Sequence, residues 1–174
     1  MKKILNISVY GRVAFFLIVS EETLRMVEFE EKRDRELIKQ TINTCWNWCG
    51  GKTISAYDLW KLLESEEDMT INDISWKYKD DNIKGPILKI LVIALMYTLF
   101  HALKKENIVD VPESIENVDD ITAVTYLFDY VNECKNISRQ WIDEVFDYFH
   151  EHFKINNSED YGKTIGRKDL IKLL

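Results

Sequence analysis

The amino-acid sequence predicts an all-α protein, a helical bundle with one very hydrophobic central helix, and three observations carry that expectation. Apolar residues recur at helix spacing in several stretches, most clearly at Leu37, Ile38, Ile42, Cys45, Trp46 and Cys49. Only two prolines and six glycines interrupt 174 residues, and clusters of the residue types that bound strands are few. Residues 44–60 read as one helix ending on Gly50 and Gly51 and a second starting at a capped Ser55, with Trp46, Trp48 and Trp60 packed into the joint. Glycine just past a helix end relieves the left-handed backbone geometry needed there. Ser55 with Asp58 resembles a capping box, Asp standing in for the usual Glu or Gln.

Taken in order, residues 4–29 read as helix, although the β-branched and aromatic content of residues 13–19 leaves a strand open. Residues 33–49 carry a stripe with one buried face, and residues 55–63 repeat it with Tyr57, Leu59, Trp60 and Leu63. An acidic loop follows (Glu64, Ser65, Glu66, Glu67, Asp68), then a polar stretch to Gly85 in which Trp76 is the one large anchor. Residues 86–103 form the long apolar helix. Pro86 suits its first turn, where a missing N–H costs nothing, and Lys104 and Lys105 suit its negative pole. Pro112 lies in an exposed connector. Residues 119–134 read as a helix with Ile121, Val124, Leu127, Phe128 and Val131 on one side, its two leading aspartates favouring the positive end. Ser138 caps a last helix whose stripe is Trp141, Ile142, Val145, Phe146, Phe149 and Phe153. The tail from Ser158 is polar until Leu170, and docking and fraying are both open. No linker, repeat or low-complexity tract appears, so residues 1–174 read as a single domain, long enough to bury about two thirds of its unfolded surface without disulfide or metal.

Composition excludes some functions. A net charge of −7 argues against non-specific affinity for nucleic acid or anionic lipid and makes a basic partner the natural expectation. Between Glu106 and Cys134 the chain carries eight carboxylates and no lysine or arginine; such runs are commonly solvated faces. Three cysteines do not describe a disulfide framework, which points to a reducing compartment, the cytoplasm. The apolar N-terminal stretch resembles a signal peptide, but Asn6 and Arg12 interrupt it and no small-residue cleavage site follows. Lys89 and His101 leave residues 86–103 without a charge-free run that spans a bilayer comfortably, so a buried bundle helix is expected and stable membrane insertion is not.

Motifs that suggest chemistry fail on spacing. Gly51-Lys52-Thr53 and Gly162-Lys163-Thr164 lack the earlier glycine of a phosphate loop, the position being Trp46 in one and Asn157 in the other. Cys45 and Cys49 lie four apart on a helix, but zinc needs two further ligands, and Cys134, His150 and His152 lack paired spacing. His150-Glu151-His152 is not the zinc-protease motif, because Lys154 stands where its second histidine belongs. No nucleophile, base and orienting acid can be assembled with local support, so no enzyme, cofactor or metal is expected. Trp48 lies off the stripe that holds Trp46: it either packs on the next helix or is exposed as a contact anchor.

The order of features, Cys45-Trp46-Asn47-Trp48, then Gly51-Lys52-Thr53-Ile54-Ser55, then Asp58-Leu59-Trp60-Lys61-Leu62-Leu63 with acidic residues after it, resembles the sixth numbered immunity-protein family of bacterial polymorphic toxin systems. Val111-Pro112-Glu113-Ser114-Ile115 looks like that family's Val-Pro-x-x-Ile connector, and the apolar helix between also suits it. Trp60 stands where the family more often has tyrosine. The resemblance covers roughly residues 37–131. It implies a mostly α-helical, non-enzymatic antidote that binds the C-terminal effector domain of a cognate protein toxin. The family has no catalytic residues to carry over, so charge and Trp48 nominate the partner-binding candidates: Trp48, Glu64, Glu66, Glu67, Asp68, Glu113, Glu116, Asp119 and Asp120. Against this stand a small cytoplasmic helical regulator or scaffold, and a membrane-associated helical protein.

Overall fold

The two most apolar stretches of the sequence become the two innermost helices. The computed structural model describes residues 2–135 and 137–173. Among them run eight α-helices: α1 (Val9–Leu24), α2 (Lys32–Cys49), α3 (Ala56–Leu63), α4 (Ile71–Lys77), α5 (Lys84–Lys105), α6 (Glu113–Glu116), α7 (Asp120–Glu133) and α8 (Arg139–His152). Short 3₁₀ segments occupy Lys2–Asn6 and Arg167–Leu173. The fold is all-α; the one strand-type pairing among the described residues is an isolated bridge between Ile7 and Lys154.

A helix that is apolar all round must be covered on every side. α5 packs against α1, α2, α3, α4, α6 and α7, and α1 is covered by α2, α5 and α8. By length and composition α5 could cross a membrane, yet 83% of its most apolar window is buried inside the fold. Residues 13–19, whose composition also suited a strand, lie inside α1 and are buried throughout, so packing against α5 overrides local β-propensity. Ser20 and Thr98, buried on these helices, donate to the carbonyls of Phe16 and Ala94 one turn back.

Several expectations need correction. The polar stretch before Gly85 contains α4, anchored by buried Ile71 and Ile74 and not by Trp76, which is 70% exposed. The connector after Pro112 contains the short α6, anchored by Ile115. On α3 the buried stripe is Ala56, Leu59, Leu62 and Leu63, while Tyr57 is 63% exposed. Ile121 also turns partly outward from α7. α2 closes on Gly50, and Gly51 takes the left-handed conformation (φ +78°) that lets the chain turn into α3.

The tail docks. Ser8, Val9 and Tyr10 at the start of α1 donate their N–H groups to the carbonyls of Phe153, Asp160 and Tyr161 (2.9, 2.9 and 3.2 Å), so the C-terminal segment serves helix donors that have no partner within α1. Ile165 and Leu170 are buried, and the Ile165 N–H reaches the Cys49 carbonyl at 3.0 Å. Gly162 (φ +67°) crosses Ser8 so closely that a Cβ would stand 2.6 Å from the Ser8 Cβ.

Candidate functional site

The α3–α4 connection is built by two successive capping boxes. The Ser55 hydroxyl accepts from the Asp58 N–H at 3.1 Å while the Asp58 carboxylate accepts from the Ser55 N–H at 2.9 Å. Thr70 and Asp73 repeat the exchange at 3.3 and 2.7 Å. Hydrogen bonds from Ser55 hold the Asp58 carboxyl below its ordinary range, and those from Thr70 do the same for Asp73. Between the boxes Ser65 accepts from the N–H groups of Glu67 and Asp68, which folds the loop on itself. At its far end α4 is tied to α2: Asp34, fully buried, receives Lys77 Nζ at 2.8 Å and the Tyr78 hydroxyl at 3.0 Å.

These fixed ends frame an open concavity of about 730 Å³ between α3 and α4, lined by Tyr57, Trp60, Lys61, Glu64, Glu66, Glu67, Asp68 and Asp73 among others. The four loop carboxylates are exposed and have no ion pair or side-chain hydrogen bond among the described residues. Lys61 is the one basic side chain lining the concavity, and its Nζ lies 4.5 Å over the Tyr57 ring. Trp76, on the outer face of α4, carries Lys79 Nζ 3.8 Å over its ring.

The second acidic stretch is different, because four of its eight carboxylates bond to other groups of the chain. Asp119 caps α7 by accepting from Ile121 and Thr122. Glu106 accepts from the Ala56 N–H at 2.7 Å, and Glu133 lies 3.4 Å from Lys89. Asp120 pairs at 3.0 Å with Arg12, accepts from the Tyr97 hydroxyl, and has His101 Nε2 3.4 Å away. Burial alone would raise the Asp120 pKa; His101, the Arg12 guanidinium and the Tyr97 hydroxyl outweigh it and hold the carboxyl below its ordinary range. Arg12 also donates to the Ser158 carbonyl, so this cluster joins α1, α5, α7 and the C-terminal segment. Glu113 and Glu116 remain exposed on α6.

Among the sequence candidates the structure brings Glu64, Glu66, Glu67 and Asp68 together in one concavity, sets Glu113 and Glu116 on a separate helix, and turns Asp120 inward. For Trp48 the exposed alternative is corrected: at 3% exposure it is buried, and its ring packs between Tyr10 (5.2 Å) and Tyr161 (6.3 Å). Sequence reasoning missed Tyr57 and Trp76 as surface aromatics. The signal for Trp76 was present in Thr70-x-x-Asp73, a helix start whose apolar spacing, Ile71 and Ile74, leaves position 76 outside. Burial pushes the Cys45 thiol up to about 12 and raises Cys49 further, and no group of three or more metal-ligating side chains occurs among the described residues.

These features define an all-α protein whose unpaired acidic chemistry lies on an open surface. The chain matches the family described as immunity protein Imm6 over residues 11–137, well over half its length, and belongs to that family. No curated protein and no solved structure matches it significantly. The match begins at Gly11, so it includes α1 from its third residue on, which lay outside the resemblance read from residues 37–131; α8 and the docked tail fall beyond it.

Proposed function

We propose that this chain is a cytoplasmic antidote that neutralises a cognate protein toxin by binding its effector domain stoichiometrically, without a catalytic step. Membership of the Imm6 family is the observation that carries the reading. Physically, neutralisation needs only a tight interface that covers the toxin's active site or blocks its substrate. The net charge of −7 and the unpaired loop carboxylates favour a basic toxin, because complementary fields speed encounter and carboxylates can occupy positions that hold substrate phosphates.

The test is to read the genes beside this one and to co-express this chain with the C-terminal domain of a large toxin-like protein encoded there. Restored growth together with a purified one-to-one complex is the expected result. Toxicity that this chain does not relieve would discard the antidote reading in favour of a helical regulator. An association rate that stays constant as salt rises would remove the electrostatic part.

A further inference from the structure

We infer that the outer face of α3 and α4, with the acidic loop between them, is the docking surface for the partner, and that its occupant is a protein surface bearing arginine and lysine side chains. The inference rests on the antidote reading and names the face and the chemistry that reading leaves open.

Two independent observations meet there. The first is apolar. α4 is held to the fold by Ile71 and Ile74 on one side and by the Lys77–Asp34 pair at its end, so Trp76 contributes nothing visible to its anchoring, yet the ring stays 70% exposed. Trp76 stands one turn beyond Asn72, which lines the concavity, and therefore shares its face. Across the concavity Tyr57 is 63% exposed on α3. Large exposed aromatics beside a concave surface have the composition of interface anchors.

The second observation is electrostatic. Glu64, Glu66, Glu67 and Asp68 are all unpaired among the described residues, in contrast to Asp119 and Asp120, which the fold uses. Both exposed rings already carry a cation over their faces, Lys61 on Tyr57 and Lys79 on Trp76. Lys61 and Lys79 occupy those ring faces, so a partner's guanidinium or ammonium is received by the exposed loop carboxylates, while the remaining ring surface offers apolar contact. Charge complementarity therefore selects a basic protein surface over an acidic or purely apolar one.

The experiment is a titration of the purified 174-residue chain with the effector domain whose toxicity it relieves in co-expression, for the wild type, Trp76→Ala, Tyr57→Ala, the Glu66→Gln/Glu67→Gln double variant, and Glu113→Gln/Glu116→Gln on the separate acidic helix. All substituted side chains are exposed, and a thermal melt of each variant verifies an intact fold. Loss of about tenfold or more in affinity for Trp76→Ala, and a lower association rate with a flatter salt dependence for Glu66→Gln/Glu67→Gln, are expected, with Glu113→Gln/Glu116→Gln unchanged. Wild-type affinity in both Trp76→Ala and Glu66→Gln/Glu67→Gln, or an equal loss in Glu113→Gln/Glu116→Gln, overturns this face while direct binding stands. Absence of any wild-type complex overturns the antidote reading and this inference with it. Self-association of the free chain that Trp76→Ala dissolves assigns the face to a second copy, which overturns the basic occupant.

Discussion

Arg12 Nη1 lies 3.0 Å from Asp120 Oδ2, joining a fully buried guanidinium on α1 to the first residue of α7. A charge so enclosed depends on its partner, and the Arg12 Nε has no hydrogen-bond partner of its own. Removing one member of a buried pair leaves the other uncompensated, so Asp120→Ala and Arg12→Met should each destabilise the fold by about 3–5 kcal/mol. The double variant should cost less than the sum of the two, as urea unfolding in a double-mutant cycle would reveal. Additive costs would mean that the pair contributes no coupling.

Acid should weaken the same cluster. Burial depresses the His101 pKa against the pull of Asp120, and Arg12 and Lys104 push it the same way. The folded chain therefore binds fewer protons at His101 than the unfolded chain, and stability is lost as pH falls below the ordinary histidine value of 6.5 toward the lower folded one. Asp120, also depressed, adds a loss of the same sign below its ordinary 3.8. Urea midpoints should fall between pH 7.5 and pH 5, and His101→Gln should flatten that slope. A slope unchanged in His101→Gln would exclude the histidine as its source.

Trp48 and Trp76 should part company on substitution. Trp48→Ala removes a ring packed between Tyr10 and Tyr161 and should cost about 3–5 kcal/mol. Trp76→Ala removes an exposed ring and should leave stability within about 0.5 kcal/mol. Thermal denaturation of the two variants side by side checks both values, and a large loss at Trp76 would make it a folding residue.

The C-terminal segment should be indispensable to the fold although it lies outside the family match. Truncation after Asn157 exposes the apolar surface covered by Ile165 and Leu170, each worth about 1.5–3 kcal/mol, and frees the Val9 and Tyr10 N–H groups. It also removes Arg167, which pairs with the buried Glu21 that accepts from the Trp46 ring nitrogen. A melting temperature equal to that of the full chain would show that docking contributes nothing.

Much of the fold is legible in the sequence because local rules decide it. The Ser55–Asp58 box, the Ser138 cap, the turn at the end of α2 and the stripes of α2 and α8 obey short-range geometry, and each appears where spacing puts it. The acidic loop is legible for the same reason. α4 is less legible although its Thr70–Asp73 box obeys the same rule, because seven residues hold only two buried anchors, Ile71 and Ile74, and the largest apolar residue, Trp76, faces outward.

What the sequence determined alone is the all-α class, the innermost position of the apolar helix and the resemblance to immunity proteins, all of which follow from residue type and spacing within a few turns. Tertiary structure decided whether each polar or aromatic side chain faces in or out. Asp120 and Glu67 are both carboxylates in acidic stretches, yet one meets Arg12 brought from more than a hundred residues away and the side chain of the other has no ion pair or hydrogen bond among the described residues. Trp48 and Trp76 differ likewise, because Tyr161 returns to cover the first and no segment among the described residues covers the second. Such pairings depend on contacts between residues distant along the chain, and no periodicity encodes them.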